Sequence, residues 1–555
     1  MIFMQNPWLD LKQEIAKQLD IGIEEIEEPE KYGDFAYPCF SLSKKLKKDP
    51  KEIAKELAKK LKIKHIEKIE AIGPYVNFYI VWKKFGQDLL KSVNEKYGGF
   101  IVKDKKALIE HTSINPNASP HVGRARNAII GDSLVRLIKF LGYETEVHYL
   151  VNDVGKQISV LVYGVMNKDT KDLKFEDLLK IYIETSKKVS ENPEDEKKVF
   201  EILSKFEKGD KKTMNLFKKI VSLCINGQEE ILSKLGIKYD FFDYESDYII
   251  NKKTNEALEK LEKTDRIFTD ENGRKVLDLK GFDIPMESPA FVLLRSDGTS
   301  LYNLKDIAYT IDKINKAKDL NIVVLGEDHK LYFKQLSAAL RILKYEPPKV
   351  IHYAFVLLPS GKMSTRKGEL VLLTDFINEA CEKALKEIEK RYPELSKEEK
   401  ETRAKKVAVG AIRYSIVKIS PEKNVMFVWD EALRFDGNTG PYLQYTYARS
   451  NSILKKAKLK DFDVKYLKDE REKKILKSLA KYPQILEKSL NELKPHYIAN
   501  YLYELADVFN SFYQSLPVLN SEENLKNARL KLVDSVKNVL ETGLELLGIP
   551  TLEKM

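Results

Sequence analysis

The spacing of hydrophobic residues predicts an alternation of strands and helices through the middle of the chain. From about residue 101 to 345, short apolar runs alternate with stretches that have an apolar residue every three or four positions. Ala107–Glu110, Glu144–Leu150 and Ile322–Leu325 are predicted strands, and residues 120–141 predict a crossover helix. This alternation is typical of a parallel sheet covered by helices.

The flanking segments have different patterns. Residues 1 to about 100 combine a helix that begins at Asp49-Pro50 with an alternating run at Ala71–Val81, which predicts a small α+β domain. Beyond about residue 400 the helical spacing predicts an all-α domain. The charged stretch at about 165–265 predicts a helical insertion between the two halves of the sheet. We therefore expect a multidomain α/β protein with domains at 1–100, 101–400 and 401–555.

A polar turn followed by a helix is the first candidate for chemistry. Ser119-Pro120 is predicted to be the N-cap and the first helical residue, which places His121 in the first turn. The free N–H groups and the dipole at a helix start favour negative charge, such as a triphosphate. Gly123 would leave room for a flat base to lie against the backbone.

A cationic loop is the second candidate. It follows the apolar run Tyr353–Leu358 and reads Lys-Met-Ser-Thr-Arg-Lys-Gly from Lys362 to Gly368. Cations placed in advance where charge develops stabilise a transition state, so this loop suits a leaving pyrophosphate. Either segment alone is a weak signal, and the two in this order are much more specific.

Composition permits a polyanionic partner without requiring one. The chain has 95 basic and 85 acidic residues, a net charge of +10, and 43% hydrophobic residues, enough for several cores. A solvated lysine-rich surface explains the same excess. Cys39, Cys224 and Cys381 lie far apart, which argues against zinc and disulfides and favours a reducing cytoplasm. We expect neither a membrane span nor a secretory signal.

Together, the two segments resemble the HIGH and KMSKS signatures of class I aminoacyl-tRNA synthetases. Further motifs are similar to those of arginyl-tRNA synthetases of the archaeal or eukaryotic-like kind. They are Tyr32–Phe35, Gly73–Phe78, the Glu-x-x-Ser-x-Asn turn Glu110–Asn115, the Tyr-x-x-x-Asp run Tyr302–Asp306 and Gly437–Arg449. Gly326–His329 resembles a strand end of class I catalytic domains, and Glu431–Arg434 resembles the Asp/Glu-Ala-Leu-Arg motif of an anticodon-binding helical bundle. The resemblance covers almost the whole chain. It implies a class I Rossmann-like catalytic domain with an insertion, an N-terminal domain that binds the corner of tRNA, and a C-terminal anticodon-binding helical bundle.

The resemblance also implies a site for L-arginine built on carboxylates. A guanidinium is a planar fork of donors that is always charged, and it pairs most strongly with carboxylates. A lysine site could use carboxylates too, so charge alone does not decide. The expected arginine-binding residues are Glu110, Ser113, Asn115, Tyr302, Asp306 and Asp328, the last with its role open. Glu110 and Asp306 would supply the carboxylates for the guanidinium, and Ser113 and Asn115 could hold the α-amino and carboxylate groups. The alternative for Asp306 is an ion pair with Lys305 or Lys313 in solvent.

The implied ATP site joins the two candidate segments. The expected ATP-binding residues are His121, Gly123, Arg124, Lys362 and Ser364, and His121, Arg124 and Lys362 form the expected catalytic set. Arg124 stands where the family usually has His, and Thr365 where it usually has Lys. Arg366 or Lys367 could supply the missing charge, while the role of Arg124 stays open. Mg²⁺ would enter with ATP, and we expect no protein-bound metal and no zinc.

The implied macromolecular partner is tRNA(Arg). The residues that match tRNA-contacting positions are Tyr75, Asn77, Tyr442, Tyr445 and Met555. Aromatic side chains bind unpaired bases by stacking. The alternatives are a core aromatic at Tyr75, a helix packing seam at Tyr442 and Tyr445, and a frayed chain end at Met555.

These features predict an arginine–tRNA ligase. It would form arginyl-adenylate from ATP and L-arginine and transfer the arginine to the 3′ end of tRNA(Arg). The resemblance implies that tRNA must bind before arginine is activated. We expect a cytoplasmic monomer with no membrane partner. Two alternatives stay open: another class I synthetase, specific for lysine or cysteine, and an RNA-binding relative that has lost activity, which the departures at Arg124 and Thr365 would permit.

Overall fold

A computed structural model describes residues 2–3, 6–29, 31–102, 104–317, 319–358, 361–362 and 371–554. The N-terminal region is a small α+β unit around the antiparallel sheet β2-β4-β3. Its elements are β1 (Ile2–Phe3), α1 (Pro7–Leu19), β2 (Phe35–Pro38), α2 (Phe40–Leu46), α3 (Pro50–Lys60), β3 (Ile66–Ile72), β4 (Tyr75–Ile80), α4 (Trp82–Ser92) and β5 (Phe100–Ile101). The α+β prediction is confirmed.

The strand expected within Ala71–Val81, with Gly73-Pro74 at its start, is β4. Gly73-Pro74 forms the turn of a hairpin, so Ala71 and Ile72 belong to the preceding strand β3. Gly73 has φ +59°, a left-handed conformation that glycine adopts without steric cost.

The central region contains a five-stranded parallel sheet in the order β13-β12-β6-β7-β8. Its strands and first helices are β6 (Lys106–Glu110), α5 (Val122–Phe140), β7 (Glu144–Val151), α6 (Lys156–Val165), α7 (Phe175–Glu191), α8 (Pro193–Glu207), α9 (Lys211–Ser233), β8 (Phe241–Tyr244), α10 (Glu245–Ile250) and α11 (Lys253–Glu262). The rest are β9 (Ile267–Thr269), β10 (Lys275–Asp278), β11 (Ala290–Leu294), α12 (Tyr302–Lys316), β12 (Leu320–Gly326), α13 (Lys330–Ile342), β13 (Lys349–Tyr353), β14 (Val356–Leu358), β15 (Gly361–Lys362) and α14 (Leu373–Arg391).

The strand order fixes where a ligand can bind. From β6 the chain crosses to β7 on one side, while β12 pairs with β6 on the other side, so the connections diverge at β6. In open parallel sheets, ligands bind beyond the carboxyl ends of the strands at such a switch point. Glu110 is the last residue of β6 and therefore lies at this point.

The predicted insertion at 165–265 is only partly right. Helices α6–α9 do lie between β7 and β8, but β8 itself pairs with β7 in the parallel sheet. A separate antiparallel sheet, β9–β11, then precedes α12. These strands have three to five residues each, too few to give a recognisable hydrophobic period in the sequence.

The C-terminal region is a helical bundle, as predicted. Its elements are α15 (Lys397–Val417), β16 (Val425–Met426), α16 (Trp429–Ala432), α17 (Gly440–Leu454), α18 (Glu470–Glu492), α19 (His496–Ser515) and α20 (Glu523–Leu546). The exception to a purely helical region is β16, which pairs in parallel with β14. Within the described part of the chain, no helix is long and apolar enough to cross a membrane.

A buried ion pair joins the bundle to the central sheet. Arg413 of α15 is fully buried and donates to the Asp132 carboxylate of α5. It also donates to the backbone carbonyls of Leu235 and Leu547. Burial raises the pKa of Asp132, but Arg413 and Arg136 more than reverse this, so the net pKa is lowered. The helix that starts at the candidate site is thus anchored at its middle.

Candidate active site

Helix α5 begins with a histidine cap rather than a serine cap. His121 is the N-cap residue, and its Nδ1 accepts a hydrogen bond of 3.2 Å from the backbone N–H of Gly123. The prediction that Ser119 caps the helix and Pro120 is its first residue is therefore wrong. His121 takes the cap because its extended backbone and ring nitrogen provide what a serine hydroxyl would.

Burial sets the protonation state of His121, and the cap sets its tautomer. Burial, followed by the nearby charge of Arg124, lowers the pKa of His121 to about 4. The ring is therefore neutral at pH 7. Because Nδ1 accepts a hydrogen bond, the ring proton lies on Nε2. This tautomer presents an N–H donor, which suits a phosphate oxygen.

The segment that carries the second signature lies beside this helix start. The backbone of Lys362 in β15 pairs with Leu357 in β14. Just past the loop, Val371 accepts a bond of 3.3 Å from the N–H of Val122, and Leu373 donates one of 2.9 Å to Pro120. The start of α5 therefore pairs with the segment that follows the cationic loop. The side chain of Lys362, and Ser364, Thr365, Arg366 and Lys367, lie outside the described residues.

A cavity of about 540 Å³ opens at the carboxyl ends of β6, β7 and β12. All six predicted arginine-binding residues line it: Glu110, Ser113, Asn115, Tyr302, Asp306 and Asp328. Arg124 also lines this cavity. His121 and Gly123 do not, although both lie in the first turn of the helix that carries Arg124. The structure thus brings together the residues that the sequence placed up to about two hundred positions apart.

The turn after β6 has a strained backbone. Thr112 has φ +75° and Ser113 has φ +44°, and a left-handed conformation is unfavourable for both residue types. Asn127 of α5 holds the turn, because its Oδ1 accepts the N–H of Thr112 at 2.6 Å. Ser113 Oγ accepts the N–H of Leu150 at 3.1 Å and donates to Glu110 at 3.4 Å. Strain of this kind is concentrated at functional sites.

Two of the carboxylates in the cavity already have lysine partners. Glu110 forms a buried ion pair with Lys313 of α12. Glu245, at the start of α10, pairs with Lys305 at 2.8 Å. The alternative that Lys305 or Lys313 pairs with Asp306 is therefore wrong. Lys313 also lies over the ring of Tyr309, 4.2 Å from its centroid.

Asp306 has no basic partner among the described residues. Its carboxylate accepts hydrogen bonds from Tyr332 Oη at 2.7 Å and Thr310 Oγ1 at 3.3 Å. Burial raises the pKa of Asp306. The ring of Tyr302 packs against that of Tyr332, with centroids 5.3 Å apart, and its side chain remains 58% exposed. Asp306 is therefore the carboxylate best suited to receive a cation. Asp328, by contrast, is exposed and faces His329 at 3.6 Å.

Two residues of the site were missed in the sequence. Glu245 lines the cavity, and burial raises its pKa despite Lys305. It directly follows β8, so an acidic residue at a strand end was the available signal. Arg126 is buried in α5, where its guanidinium donates to backbone carbonyls and, among the described residues, to no side chain. Every residue has a backbone carbonyl, so the sequence does not indicate which carbonyls bind Arg126.

The predicted tRNA-binding residues lie in the two outer domains. Tyr75 is partly exposed and packs edge-on against Phe40, so it is not a core aromatic. Asn77 is buried, and its amide donates to the carbonyl of Glu70 at 3.4 Å, which speaks against base contact in this conformation. Tyr442 and Tyr445 are partly buried and hydrogen-bonded to Asn510 and Arg449.

Met555 lies outside the described residues. The chain just before it is not frayed, because Glu553 bonds Asn451 of α17 through its carbonyl at 3.0 Å and Lys455 through its carboxylate at 2.8 Å. The end of the described chain therefore packs on the helix that carries Tyr442 and Tyr445.

The combination of a parallel sheet, a helix start and an adjoining signature hairpin defines the catalytic fold of class I aminoacyl-tRNA synthetases. The family model for the catalytic domain of "tRNA synthetases class I (R)" matches residues 84–429. The models for the arginyl tRNA synthetase N terminal domain and the DALR anticodon binding domain match residues 10–80 and 443–555. The chain therefore belongs to the arginyl-tRNA synthetase family, which confirms the prediction.

Individual relatives agree with the family models. The arginine–tRNA ligase of Methanocaldococcus jannaschii is 41% identical, over 97% of this chain and 96% of its own length. That of Methanocella arvoryzae is 40% identical, over 93% and 92%. The structure of Thermus thermophilus arginyl-tRNA synthetase superposes with a TM-score of 0.85 at 29% identity, over 99% of this chain and 100% of that chain. These matches cover nearly the full length of this chain and of each relative.

Proposed function

We propose that this protein activates L-arginine with ATP and transfers it to tRNA(Arg). The arginine carboxylate attacks the α-phosphate of ATP, which gives arginyl-adenylate and releases pyrophosphate. The 2′-hydroxyl of the terminal ribose of tRNA then attacks the activated carbonyl and releases AMP. The observation that carries the proposal is the carboxylate-lined cavity at the sheet switch point, next to the start of α5.

The cavity gives the two ends of arginine different partners. Asp306 has no ion-paired cation among the described residues, so we assign it to the guanidinium, with Tyr302 beside it. Glu110 is already held by Lys313 and Ser113, so we assign it to the α-ammonium end, with Asn115 close by. This differs from the sequence interpretation, which gave Glu110 to the guanidinium. Glu245 is a further candidate for the guanidinium end.

The phosphates lie between the start of α5 and the hairpin of β14 and β15. His121 donates from Nε2, and Arg124 and Lys362 supply positive charge as pyrophosphate leaves. Mg²⁺ enters with ATP and shields the same oxygens. The proposal requires no side-chain nucleophile, because catalysis comes from positioning and charge.

The decisive test is ATP–pyrophosphate exchange with each of the twenty amino acids, with and without tRNA(Arg). We expect exchange with arginine alone, and only when tRNA is present. Exchange with lysine or cysteine would identify a different class I synthetase. Binding of tRNA without any exchange or charging would identify an inactive relative.

Replacing Lys362 with alanine tests the role of the cationic loop. We expect kcat for charging to fall by about tenfold to a hundredfold, because a charge that stabilises the leaving pyrophosphate is lost. The KM for arginine should change by less than about twofold, since arginine binds elsewhere. Steady-state kinetics separate the two constants. Equal losses in kcat and in arginine affinity would contradict a transition-state role.

The pH dependence of arginine binding tests Asp306. Burial raises its pKa, so the free enzyme holds a proton there at higher pH than an ordinary aspartate does. The arginine cation favours the ionised form, so binding must expel this proton. The KM for arginine should therefore begin to rise at a higher pH than the pKa of an ordinary aspartate would give, with a limiting slope of roughly tenfold per pH unit below the raised pKa. A KM independent of pH, with kcat at saturating arginine as the control, would contradict this.

The remaining assignments concern tRNA contacts, domain limits, oligomeric state and cellular location. We place tRNA against Tyr75 in the N-terminal domain and against Tyr442 and Tyr445 in the bundle, with Met555 at the chain end. The domain limits 1–100, 101–400 and 401–555, the monomeric state and the cytoplasmic location stay predictions.

A further inference from the structure

Arg126 is a buried cation held by backbone carbonyls. It lies in the second turn of α5, and its side chain has no exposed surface. Nη1 donates to the carbonyl oxygens of Ala354 at 2.7 Å and Phe355 at 3.1 Å. Nη2 donates to those of Ser420 at 3.0 Å, Pro421 at 3.1 Å and Lys423 at 2.6 Å.

These acceptors belong to two segments that lead into the same small sheet. Ala354 and Phe355 directly precede β14, whose partner strand β15 contains Lys362. The 420–423 segment directly precedes β16, which pairs with β14 on its other edge. Arg126 therefore attaches the base of the whole three-stranded sheet β15-β14-β16 to α5.

The same helix carries His121 and Arg124 at its start. Arg126 is four residues beyond Val122, the first residue of α5, so about one helical turn separates it from the cap. One side chain thus connects the helix start to the strands that lead into the Lys362 loop. A second bond supports the joint, because the N–H of Phe355 donates to Asn424 Oδ1 at 3.0 Å.

Burying the charge of Arg126 in this way costs free energy of folding. Within the described part of the chain, Arg126 has no carboxylate within ion-pairing distance and its Nε has no partner. Burial accordingly lowers its pKa, to about 10. A buried apolar residue would fill this space without the desolvation of a charge. A planar fork of donors, in contrast, collects carbonyls from two segments at once.

We propose that Arg126 is a positioning residue that sets the register between the helix start and the Lys362 hairpin, and so controls the rate of arginine activation. It touches neither substrate nor reacting atoms. The proposal rests on the proposed function, because it takes the hairpin to deliver charge to the leaving pyrophosphate.

The test is Arg126→Lys in the full-length chain, assayed by arginine-dependent ATP–pyrophosphate exchange with tRNA(Arg). Lysine keeps the charge but cannot span five carbonyls. We expect kcat to fall by about tenfold or more, while the KM for arginine changes by less than about twofold. Asn424→Ala, an exposed position, removes the second bond and should lower kcat by about threefold with the fold intact.

The matched control is Arg413→Lys. Arg413 is equally buried and also binds carbonyls, but at the joint with the bundle. Arg413→Lys should lose about as much thermal stability as Arg126→Lys and keep kcat within about twofold of the wild type. The proposal is overturned if Arg126→Lys keeps its kcat, if kcat falls equally in Arg413→Lys, or if the KM for arginine rises in step.

Two further outcomes remain decisive. If Arg126→Lys does not fold, an unchanged kcat in Asn424→Ala overturns the proposal and a reduced kcat supports it. If the wild-type chain shows no arginine-dependent exchange, the proposed function fails, and this inference fails with it. An active wild type beside an unaffected Arg126→Lys refutes the positioning role alone.

Discussion

Asp306→Asn is expected to raise the KM for arginine by about 10²- to 10³-fold, the largest change in substrate binding that this site predicts. Asp306 is a partly buried carboxylate of the cavity without a lysine partner among the described residues, and its bonds to Tyr332 and Thr310 hold it in one orientation. Removing one partner of a desolvated charge pair costs about 3–4 kcal/mol, and every 1.4 kcal/mol is tenfold. Steady-state charging assays with varied arginine measure the effect.

Asp312→Asn is the matched control. Asp312 lies on the same helix but does not line the cavity, and it pairs with Lys253 at 2.8 Å and Lys316 at 3.3 Å. The KM of Asp312→Asn for arginine should stay within about twofold of the wild type, because a partly exposed ion pair contributes little free energy. An Asp306→Asn variant with wild-type KM would show that the guanidinium binds elsewhere in the cavity.

The elements that the sequence predicts well are those with long, regular spacing. Helix α5 has apolar residues at helical intervals over nineteen positions, and β6 and β12 contain apolar runs that end in polar turns. Strand β8 has four residues at a sheet edge, Phe-Phe-Asp-Tyr, which no periodicity distinguishes from a loop. Because that strand was missed, the signal that Glu245 carries, an acidic residue at a strand end, could not be used.

In the candidate site, too, some features can be recognised in the sequence and others cannot. Chemistry carried by a motif, such as Glu110, Asp306 or His121, is visible in the residue types. Pairings are not, because they depend on the packing of distant elements: Lys313 is 203 positions from Glu110, and the carbonyls that bind Arg126 are 228 to 297 positions away. The cap of α5 was mistaken for a related reason, since Ser-Pro is the commoner start and only the backbone angles identify His121.

Glu110→Gln is expected to destabilise the protein by about 3–5 kcal/mol, because it leaves the Lys313 ammonium buried without a counter-charge. The two side chains are 7% and 3% exposed, so water cannot replace the lost carboxylate. Urea denaturation of the full-length chain measures the change. Glu144→Gln is the matched control: Glu144 of β7 pairs at 3.5 Å with Lys106, at the end of β6 opposite to Glu110, and both side chains are exposed. Its cost should be below about 1 kcal/mol.

The double variant Glu110→Gln/Lys313→Met separates the two roles of Glu110. Removing both charges should restore most of the lost stability, since a buried ion pair replaced by uncharged groups is often nearly neutral. We expect the KM for arginine to remain raised by about tenfold or more, because the α-ammonium group still lacks its carboxylate. A return of the KM to the wild-type value would instead mean that Glu110 serves only as the partner of Lys313, and the α-ammonium would then belong to Ser113 and Asn115.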